Sequence, residues 1–345
     1  MPPPQYQKAL VLPAAFSDFT IEYASIPTPK AGQILVKNVA IALNPVDRHL
    51  QTSALGEQFL TFPAIMGLDL AGVVVRVGEG VDTVKEGDRV VAAGYWKEKD
   101  CGAFQEYTIA TVRYASKIPA NISFEEAASL PLTIISAATG LYQEGTLGAG
   151  LRAPWDDGGR GYYEGIPILI TGGSSSLGNY AIQLAKLSGF SPIYTTASPK
   201  HTGYLQSLGA TYIIDRSQSL TFALEGKQFS IIIDVASTLA TQRASAALLA
   251  AGGTLVHMRA ALEDFKLKAG ASAKMPFGDP YHPDNDTVGA RLYGSLEKWM
   301  QAGDIRPNRI EVLPGGLRGI TRGLDRLEAG TVSGVKLVVR PGETA

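Results

Sequence analysis

The sequence predicts an α/β protein with two parts, an antiparallel β-barrel or sandwich and a doubly wound parallel sheet. At 345 residues the chain is longer than one hydrophobic core usually organises, so two domains are expected. Residues 8–120 contain many short runs rich in Val and Ile between turn signals, which is typical of antiparallel sheet. From Ser123 onward, helical patterns alternate with apolar strands, and this alternation indicates a parallel sheet flanked by helices.

In the first part, five runs bounded by turn sequences are expected as strands. They are KALVLP at 8–13, QILVKNVAIAL at 33–43, AGVVVRVG at 71–78, DRVVAAG at 88–94 and AFQEYTIA at 103–110. Near the C-terminus, GITRGLDRLEAG at 319–330 predicts a short helix. The run GVKLVVRP at 334–341 predicts a strand that returns to complete the first part.

In the second part, helical patterns within residues 123–145 lead into five apolar strands. The strands are IPILITG at 166–172, SPIYTTA at 191–197, TYIID at 211–215, SIIIDVA at 230–236 and GGTLVHM at 252–258. Two irregular segments interrupt the pattern, residues 148–165 with six glycines and residues 263–286 with many Gly, Pro and Asp. In the first segment, Trp155, Tyr162 and Tyr163 are poorly explained by core packing and could cover an extended apolar substrate; a surface excursion is the alternative.

The composition excludes several classes of protein. Apolar residues make up 45% of the chain and charged residues 18%, which suits large buried cores rather than disorder. The 31 basic residues balance 32 acidic ones without a basic block, so neither nucleic acid nor a membrane surface is expected as a partner. A single cysteine, Cys101, fits a reducing compartment, and no signal peptide or membrane-spanning run is found, so a cytoplasmic location is expected.

The turn between the strand Ile168–Thr171 and a helix from near Leu177 is the strongest local motif. Small residues there leave the first amides of the helix open to an anion. On a G-x-x-G-x-x-G frame, Gly172 and Gly178 fit, whereas Ser175 stands at the middle glycine. We therefore expect a dinucleotide phosphate site formed by Gly172, Gly173, Ser174, Ser175, Ser176, Leu177 and Gly178. A plain strand-to-helix turn with capping serines is the alternative.

The next strand favours NADPH as the cofactor. NAD-binding units place an Asp or Glu near the end of this strand to hold the ribose 2′-hydroxyl. Here the sequence offers Ser198, Lys200 and His201 instead, which suit a 2′-phosphate, and Arg216 after the following strand could add a second cation. The alternative is that Ser198 and Lys200 only open the next helix.

Six separated stretches identify a family. They are NPVD at 44–47, PAIMGLDLAGVVVRVG at 63–78, VKEGDRV at 84–90, GAFQEY at 102–107, AASLPLTIISAATGLY at 127–142 and GGSSSLGNYAIQLAK at 172–186. With these stretches in this order, the chain resembles the medium-chain dehydrogenase/reductases, in their zinc-free quinone-oxidoreductase and enoyl-reductase branch. Within that branch it is most similar to the fungal enoyl reductases that work in trans with polyketide synthases.

The resemblance implies a GroES-like catalytic domain at residues 1–124 and 300–345 and a Rossmann NADPH-binding domain at 125–299, with substrate and cofactor meeting in the cleft between them. Zinc-dependent relatives carry a cysteine at the NPVD segment and a histidine where this chain has Leu68, so no metal is expected. Without a Lewis acid, reduction of an activated C=C bond or a quinone is favoured over alcohol oxidation.

The resemblance also implies roles for single residues. Asn44 would bind near the nicotinamide, Thr139 would orient its carboxamide, and Asp47 belongs to the same active-site turn. The Asn-Pro turn and a helix cap at Asp47 are the structural alternatives. The backbone at Val256, His257 and Met258 would cup the nicotinamide, with His257 as a wall residue. The proton donor stays open between water, His49 and Tyr142.

Several functional questions stay open at this point. The expected partner is a small enone, enoyl thioester or quinone, and a carrier protein or polyketide synthase is a candidate for delivering it. Both a monomer and a homodimer are compatible with the sequence. The alternative function is an NADPH-binding structural or adaptor protein with little turnover, of the crystallin type.

Overall fold

The computed structural model describes residues 5–261 and 266–345. The strands are β1 (Tyr6–Leu12), β2 (Thr20–Ser25), β3 (Gln33–Ala42), β4 (Ala64–Ile65), β5 (Asp69–Val77), β6 (Arg89–Ala93), β7 (Tyr107–Thr111), β8 (Ala115–Lys117), β9 (Ile168–Thr171), β10 (Ile193–Ala197), β11 (Tyr212–Asp215), β12 (Phe229–Asp234), β13 (Leu249–His257), β14 (Ser272–Lys274), β15 (Ile310–Leu313) and β16 (Lys336–Val339). The helices are α1 (Pro45–Thr52), α2 (Ala54–Phe59), α3 (Phe124–Ala127), α4 (Pro131–Tyr142), α5 (Ser176–Leu187), α6 (Thr202–Leu208), α7 (Leu220–Ala223), α8 (Leu239–Leu248), α9 (Asp286–Ala302) and α10 (Gly319–Glu328).

These elements form two compact units. Unit 1 contains the described residues up to Leu132 together with Tyr293–Gly303 and Pro307–Ala345, and unit 2 contains Thr133–Leu292 and Asp304–Arg306. Helices α4 and α9 each begin in one unit and end in the other.

Unit 1 is built from two sheets. A seven-stranded sheet has the order β15-β16-β3-β5-β6-β8, with β7 also paired to β3, and a second sheet has the order β2-β1-β4. Except for the parallel pair β15–β16, the ladders are antiparallel, as expected for this part of the chain. The predicted C-terminal strand does return: β16 pairs with the end of β3, with Val339 opposite Ile41.

The core of unit 1 explains why its strands could be predicted. Aliphatic side chains of β1, β3 and β5 pack together with those of α10 and β16, including Leu10, Ile41, Leu70, Leu324 and Leu337. Burying these apolar surfaces is the main stabilising contribution to such a unit. Strand β2 is not visible in the sequence pattern because it lies at the sheet edge and its side chains are largely exposed.

Unit 2 is a six-stranded, wholly parallel sheet with the order β11-β10-β9-β12-β13-β14. All four residues of β9 are buried, which accounts for its continuous apolar run. The chain starts in the middle of the sheet, builds outward through β10 and β11, and then resumes on the other side of β9 with β12. The predicted doubly wound sheet is thus confirmed, and its topological switch point lies between β9 and β12, where ligands of such sheets bind.

The two irregular segments have different outcomes. Residues 148–165 form a series of turns, as expected. In the second segment, residues 263–265 lie outside the described part, and the remainder contains the short strand β14 and the start of α9. Among the described residues, no helix is both long and apolar enough to cross a membrane.

Candidate functional site

The turn after β9 requires glycine at two positions because other atoms approach it closely. A Cβ atom on Gly173 would lie 2.1 Å from the Thr195 hydroxyl oxygen of β10. A Cβ atom on Gly178 would lie 2.3 Å from the carbonyl oxygen of Gly172, which has a positive φ of 67°. These glycines therefore let strand, turn and helix α5 pack tightly against one another.

Ser175, which stands where the G-x-x-G-x-x-G frame has its middle glycine, is the N-cap of α5. Its hydroxyl oxygen accepts the N–H of Gly178 at 3.0 Å and its O–H donates to the carbonyl of Gly172 at 2.8 Å. Its φ of −74° is ordinary for any residue, so the position does not need glycine. The serine thus caps the helix without changing the path of the turn.

Three backbone amides of this turn remain available as donors. The N–H groups of Ser174, Ser176 and Leu177 have no acceptor among the described residues, whereas that of Gly178 is used by the cap. Ser174, Ser176 and Leu177 are partly exposed, in contrast to the buried Gly173 and Gly178. Unpaired amides at the positive end of a 12-residue helix form an anion site, and here they could hold the phosphates of a dinucleotide.

Two residues that sequence reasoning missed hold the turn in place. Thr196 of β10 accepts the N–H of Gly172 on its hydroxyl at 2.9 Å and the N–H of Gly173 on its carbonyl at 3.0 Å. Asn179 donates from Nδ2 to the carbonyl of Gly173 at 2.7 Å. Neither residue stands out in the sequence, because a Thr-Thr pair in a strand and an Asn in a first helical turn are common.

A polar network, also missed, lies at the switch point. Thr171 at the end of β9 donates its hydroxyl to Oδ1 of Asp234 at the end of β12, at 2.5 Å, and accepts the N–H of Ala236 at 3.1 Å. The N–H of Ser237 also donates to Asp234 Oδ1, at 2.9 Å, and Ser237 has an unusual positive φ of 43°. Burial raises the pKa of Asp234, although these hydrogen bonds oppose the shift. The network fixes the loop after β12 against the start of the phosphate turn.

The residues expected at the 2′-phosphate lie around the ends of β10 and β11. The N–H of Arg216 donates to the carbonyl of Ala197 at 3.0 Å, which places residue 216 beside Ser198. Lys200 and Arg216 are exposed, whereas His201 is buried. The nearby acid Asp215 uses its carboxylate to accept the N–H of Ser217 at 3.0 Å, within its own turn.

At the end of β13, the predicted wall residues are held mainly by main-chain contacts. Val256 and His257 are buried and pair with Ile233 and Asp234 of β12. Nδ1 of His257 hydrogen-bonds the carbonyl of Arg259 at 2.5 Å, which fixes the ring. The N–H of Met258 donates to the Ser237 hydroxyl at 2.9 Å, so this strand end is joined to the switch-point network.

Asn44, predicted at the active-site turn, lies in a buried polar cluster of unit 1. Its Nδ2 donates to Oδ2 of Asp69 at 2.9 Å, and its Oδ1 accepts from Nζ of Lys336 at 2.5 Å. Lys336 also forms an ion pair with Asp69 Oδ2 at 2.9 Å, and Oδ1 of Asp69 accepts the N–H of Leu132 at 2.6 Å. Sequence reasoning missed Asp69 and Lys336 as members of this cluster, since they are 267 positions apart (336 − 69).

Asp47 is fully buried beside this cluster and caps α1. Its Oδ2 accepts the N–H of Asn44 at 2.8 Å, which is the helix-cap alternative considered for it. Burial raises the pKa of Asp47 from 3.8 to about 7, and the negative charge of Asp69 adds to this effect, whereas the Asn44 N–H and Lys336 lower it. Its other oxygen, Oδ1, is buried without a hydrogen-bond partner in the described part of the chain. A direct role of Asp47 in the reaction stays a prediction.

Three further candidates are placed as follows. Thr139 is buried in α4, and its hydroxyl donates back to the carbonyls of Ile135 and Ser136, so its carboxamide-binding role stays a prediction. The Tyr142 hydroxyl is buried within unit 2, where it contacts the Leu184 carbonyl and Ser188, and burial raises its pKa well above the ordinary value. That environment favours a packing role over proton donation. His49 is exposed on α1.

The expectation that packing does not explain the aromatic residues of segment 148–165 is wrong for two of them. Tyr163 stacks on Phe190 with ring centroids 4.6 Å apart, and Trp155 meets the edge of the Tyr142 ring at 5.0 Å. Only Tyr162 of the three is largely exposed, at 56%. The segment is therefore anchored on unit 2, because its aromatic rings cover apolar side chains of that unit.

The described residues do not form a metal site. Among residues 5–261 and 266–345, no group of three His, Cys, Asp or Glu side chains comes together in a way that could hold a metal ion. Leu68, at the position where zinc-dependent relatives have histidine, is buried and has no ligating atom.

Comparisons with known proteins agree with this architecture. Residues 30–120 match the model of the alcohol dehydrogenase GroES-like domain, and residues 176–271 match that of the zinc-binding dehydrogenase. The chain is 32% identical over 337 residues to a trans-enoyl reductase of Gibberella fujikuroi, covering 90% of this chain and 93% of that protein. It is 34% identical over 331 residues to the zinc-binding alcohol dehydrogenase domain-containing protein cipB of Emericella nidulans, covering 93% of both.

Solved structures share the fold over nearly the whole chain. An alcohol dehydrogenase superfamily protein from Novosphingobium aromaticivorans superposes with a TM-score of 0.81 at 25% identity, covering 97% of this chain and 99% of that one. The quinone oxidoreductase from Coxiella burnetii gives a TM-score of 0.73 at 23% identity, with coverage of 97% and 99%. At 23% identity, the similarity to the quinone oxidoreductase concerns the fold alone.

Proposed function

The chain belongs to the medium-chain dehydrogenase/reductases, and from that membership we propose a specific reaction: hydride transfer from NADPH to an activated C=C bond or a quinone, without zinc. An oxidoreductase of this family uses a nicotinamide cofactor and acts on small molecules. The choice of NADPH, the type of acceptor and the independence from zinc are the new parts of the proposal.

The phosphate turn is the observation that carries the proposal. Three free amides at Ser174, Ser176 and Leu177 face no acceptor of the described chain, directly after a buried strand at the switch point of a parallel sheet. A dinucleotide pyrophosphate carries the charge that such amides bind. When bound, NADPH would supply the hydride; the residues of the chain hold and orient it.

The corner formed by Ser198, Lys200 and Arg216 supports NADPH over NADH. A hydroxyl and two cations are available there, and the carboxylate of Asp215 is hydrogen-bonded to Ser217. A carboxylate facing this corner would repel a 2′-phosphate, whereas Lys and Arg form charge-assisted hydrogen bonds with it.

The side chains present support an acceptor whose reduction needs no Lewis acid. Within the described residues, no group of three His, Cys, Asp or Glu side chains could hold a zinc ion. In an enone, an enoyl thioester or a quinone, the carbonyl group of the substrate takes up the negative charge as hydride arrives, so a metal is not needed. The similarity to a trans-enoyl reductase supports an enoyl thioester, and a carrier protein or polyketide synthase as the partner that delivers it. The division into a GroES-like catalytic domain at 1–124 and 300–345 and a Rossmann domain at 125–299 is part of this proposal.

The test is NADPH oxidation by the purified protein with four acceptors: an enone, an enoyl thioester, a quinone and a saturated ketone. We expect turnover with at least one of the first three and none with the saturated ketone. Tight NADPH binding without turnover of any acceptor would instead support the structural or adaptor function.

A further inference from the structure

Lys336 is a buried lysine, and its environment is specific. Its side chain is 4% exposed, whereas lysine is almost never buried unless it is paired. Its ammonium lies 2.9 Å from Oδ2 of Asp69 and 2.5 Å from Oδ1 of Asn44. One side chain of the last strand thus contacts both the start of β5 and the turn before α1.

These contacts determine which way the Asn44 amide faces. An ammonium group can only donate hydrogen bonds, and an ionised carboxylate can only accept them. In the observed orientation, Asn44 turns its oxygen to Lys336 and its nitrogen to Asp69. A flipped amide would set N–H against ammonium and carbonyl oxygen against carboxylate, so the pair of charges excludes the flip.

One donor of Asn44 remains unused. The Nδ2 group carries two hydrogens, of which one is donated to Asp69, and the second has no acceptor among the described residues although the side chain is buried. Leaving a buried donor unpaired costs free energy, which a hydrogen bond to a ligand oxygen would recover.

We infer that Lys336 is a positioning residue, which holds the Asn44 amide so that its second N–H is directed at an oxygen atom of the substrate or cofactor. This inference rests on the proposed function. As hydride adds to the β carbon of an enone, the electron pair of the C=C bond moves toward the carbonyl oxygen, and a proton from water then completes the product at the α carbon. A fixed N–H donor near that oxygen would stabilise the developing charge.

The test has to separate two effects of Lys336, because its ammonium positions Asn44 and also balances the negative charge of Asp69. Within this cluster the ionisable groups are Asp47, Asp69 and Lys336, and the pair Asp69–Lys336 is neutral by itself. Removing Lys336 alone would leave the buried Asp69 carboxylate without its counter-charge, which is expected to destabilise the fold. A double variant that also removes the Asp69 charge restores neutrality without restoring the contact to Asn44.

The experiment compares K336M, K336M/D69N, N44A and the triple variant with the wild-type chain. The matched control is K117M, which removes a lysine paired with Asp88 at 3.1 Å elsewhere in unit 1. For each protein, kcat, KM for the acceptor and the urea midpoint are measured. We expect K336M/D69N to recover most of the urea midpoint lost in K336M while kcat stays roughly tenfold or more below the wild type. Adding N44A to this double variant should cost no further activity, and K117M should keep wild-type kcat.

Recovery of kcat in K336M/D69N would show that Lys336 acts only by balancing the charge of Asp69, and it would overturn the inference. So would a full additional loss of kcat when N44A is added to the double variant, because the two residues would then act independently. A wild-type protein that reduces none of the acceptors refutes the proposed function instead. In that case the inference is tested by the unfolding free energies of N44A, K336M and the N44A/K336M double variant. Additive effects of the two substitutions contradict the inference, and non-additive effects support the contact between the two residues.

Discussion

Thr171 and Asp234, 63 residues apart in the chain, are register partners at the ends of adjacent parallel strands and share a hydrogen bond of 2.5 Å. The Thr171 hydroxyl also accepts the N–H of Ala236. One side chain thus connects the strand that leads into the phosphate turn with the loop that follows β12. Both side chains are fully buried, and each takes part in more than one hydrogen bond.

Replacing Thr171 by Val should therefore destabilise unit 2. The change leaves the Ala236 N–H without its acceptor and removes one of the two donors to Asp234 Oδ1, which costs about 1–3 kcal/mol in the free energy of unfolding. Urea unfolding measures it, and Thr202→Val is the control, since no hydrogen bond of that hydroxyl occurs in the described structure. Equal effects of the two substitutions would refute the prediction.

Asp47 should make folding stability depend on pH. Its pKa is raised from 3.8 to about 7 in the folded protein, so the folded state binds more protons than the unfolded state between these values. Stability contributed by the protonated group is therefore lost as the pH rises, by at most about 1.4 kcal/mol per pH unit. Asp47→Asn should flatten this dependence, as followed by urea unfolding from about pH 5 to about pH 8. An unchanged slope in the variant would contradict the prediction.

Cofactor preference should depend on Lys200. If its ammonium binds the 2′-phosphate, Lys200→Ala should weaken NADPH binding by roughly tenfold and leave NADH binding nearly unchanged, because NADH lacks that phosphate. Lys298→Ala, which removes an exposed lysine of α9, controls for the loss of overall charge. Fluorescence titration gives both dissociation constants, and equal affinity of the parent protein for NADPH and NADH would exclude the assignment.

Two glycine-to-alanine substitutions should have opposite consequences. At Gly173 the added Cβ meets the Thr195 hydroxyl at 2.1 Å, so strand and turn must separate, at a cost of about 1–3 kcal/mol and with loss of NADPH affinity. At Gly203, in α6, the space is open, and alanine should be neutral or stabilising. Thermal unfolding with and without NADPH compares them, and tolerance of Gly173→Ala would show that the turn is less tightly packed than described.

Zinc should not be required. Prolonged treatment with a chelator should leave the reductase activity unchanged, because the described residues bring no group of three His, Cys, Asp or Glu side chains together to hold a metal ion. Elemental analysis of the purified protein checks this directly. One tightly bound zinc ion per chain would overturn it.

The fold could be predicted largely because its signals are local. The buried strand Ile168–Thr171, the small-residue turn and the helix after it lie within 20 consecutive residues (168 to 187), and each obeys a short-range rule of geometry or capping. Strand β14, by contrast, spans only Ser272–Lys274 and carries no apolar run, so its pattern is too short to detect.

The candidate site was predictable only in part, because several of its contacts depend on the tertiary fold. Lys336 reads as one polar residue in an apolar strand, and nothing near it in the sequence indicates Asn44 or Asp69. The packing of Trp155 and Tyr163 cannot be predicted from their segment for the same reason, since their partners Tyr142 and Phe190 lie outside it. A pattern along the chain identifies which residues are unusual, but not what they touch.

The position of β16 has a consequence for how the protein is made. Unit 2 consists almost entirely of one continuous stretch, Thr133–Leu292, whereas β3 of unit 1 obtains its β16 neighbour only when Lys336–Val339 have been synthesised. We therefore expect unit 2 to fold first on the ribosome, although its sequence comes second. Until the last strand arrives, the end of β3 at Ile41 and Ala42 lacks its β16 neighbour and the carboxylate of Asp69 has no counter-charge, so the first unit stays incomplete, and more exposed to aggregation, during most of translation.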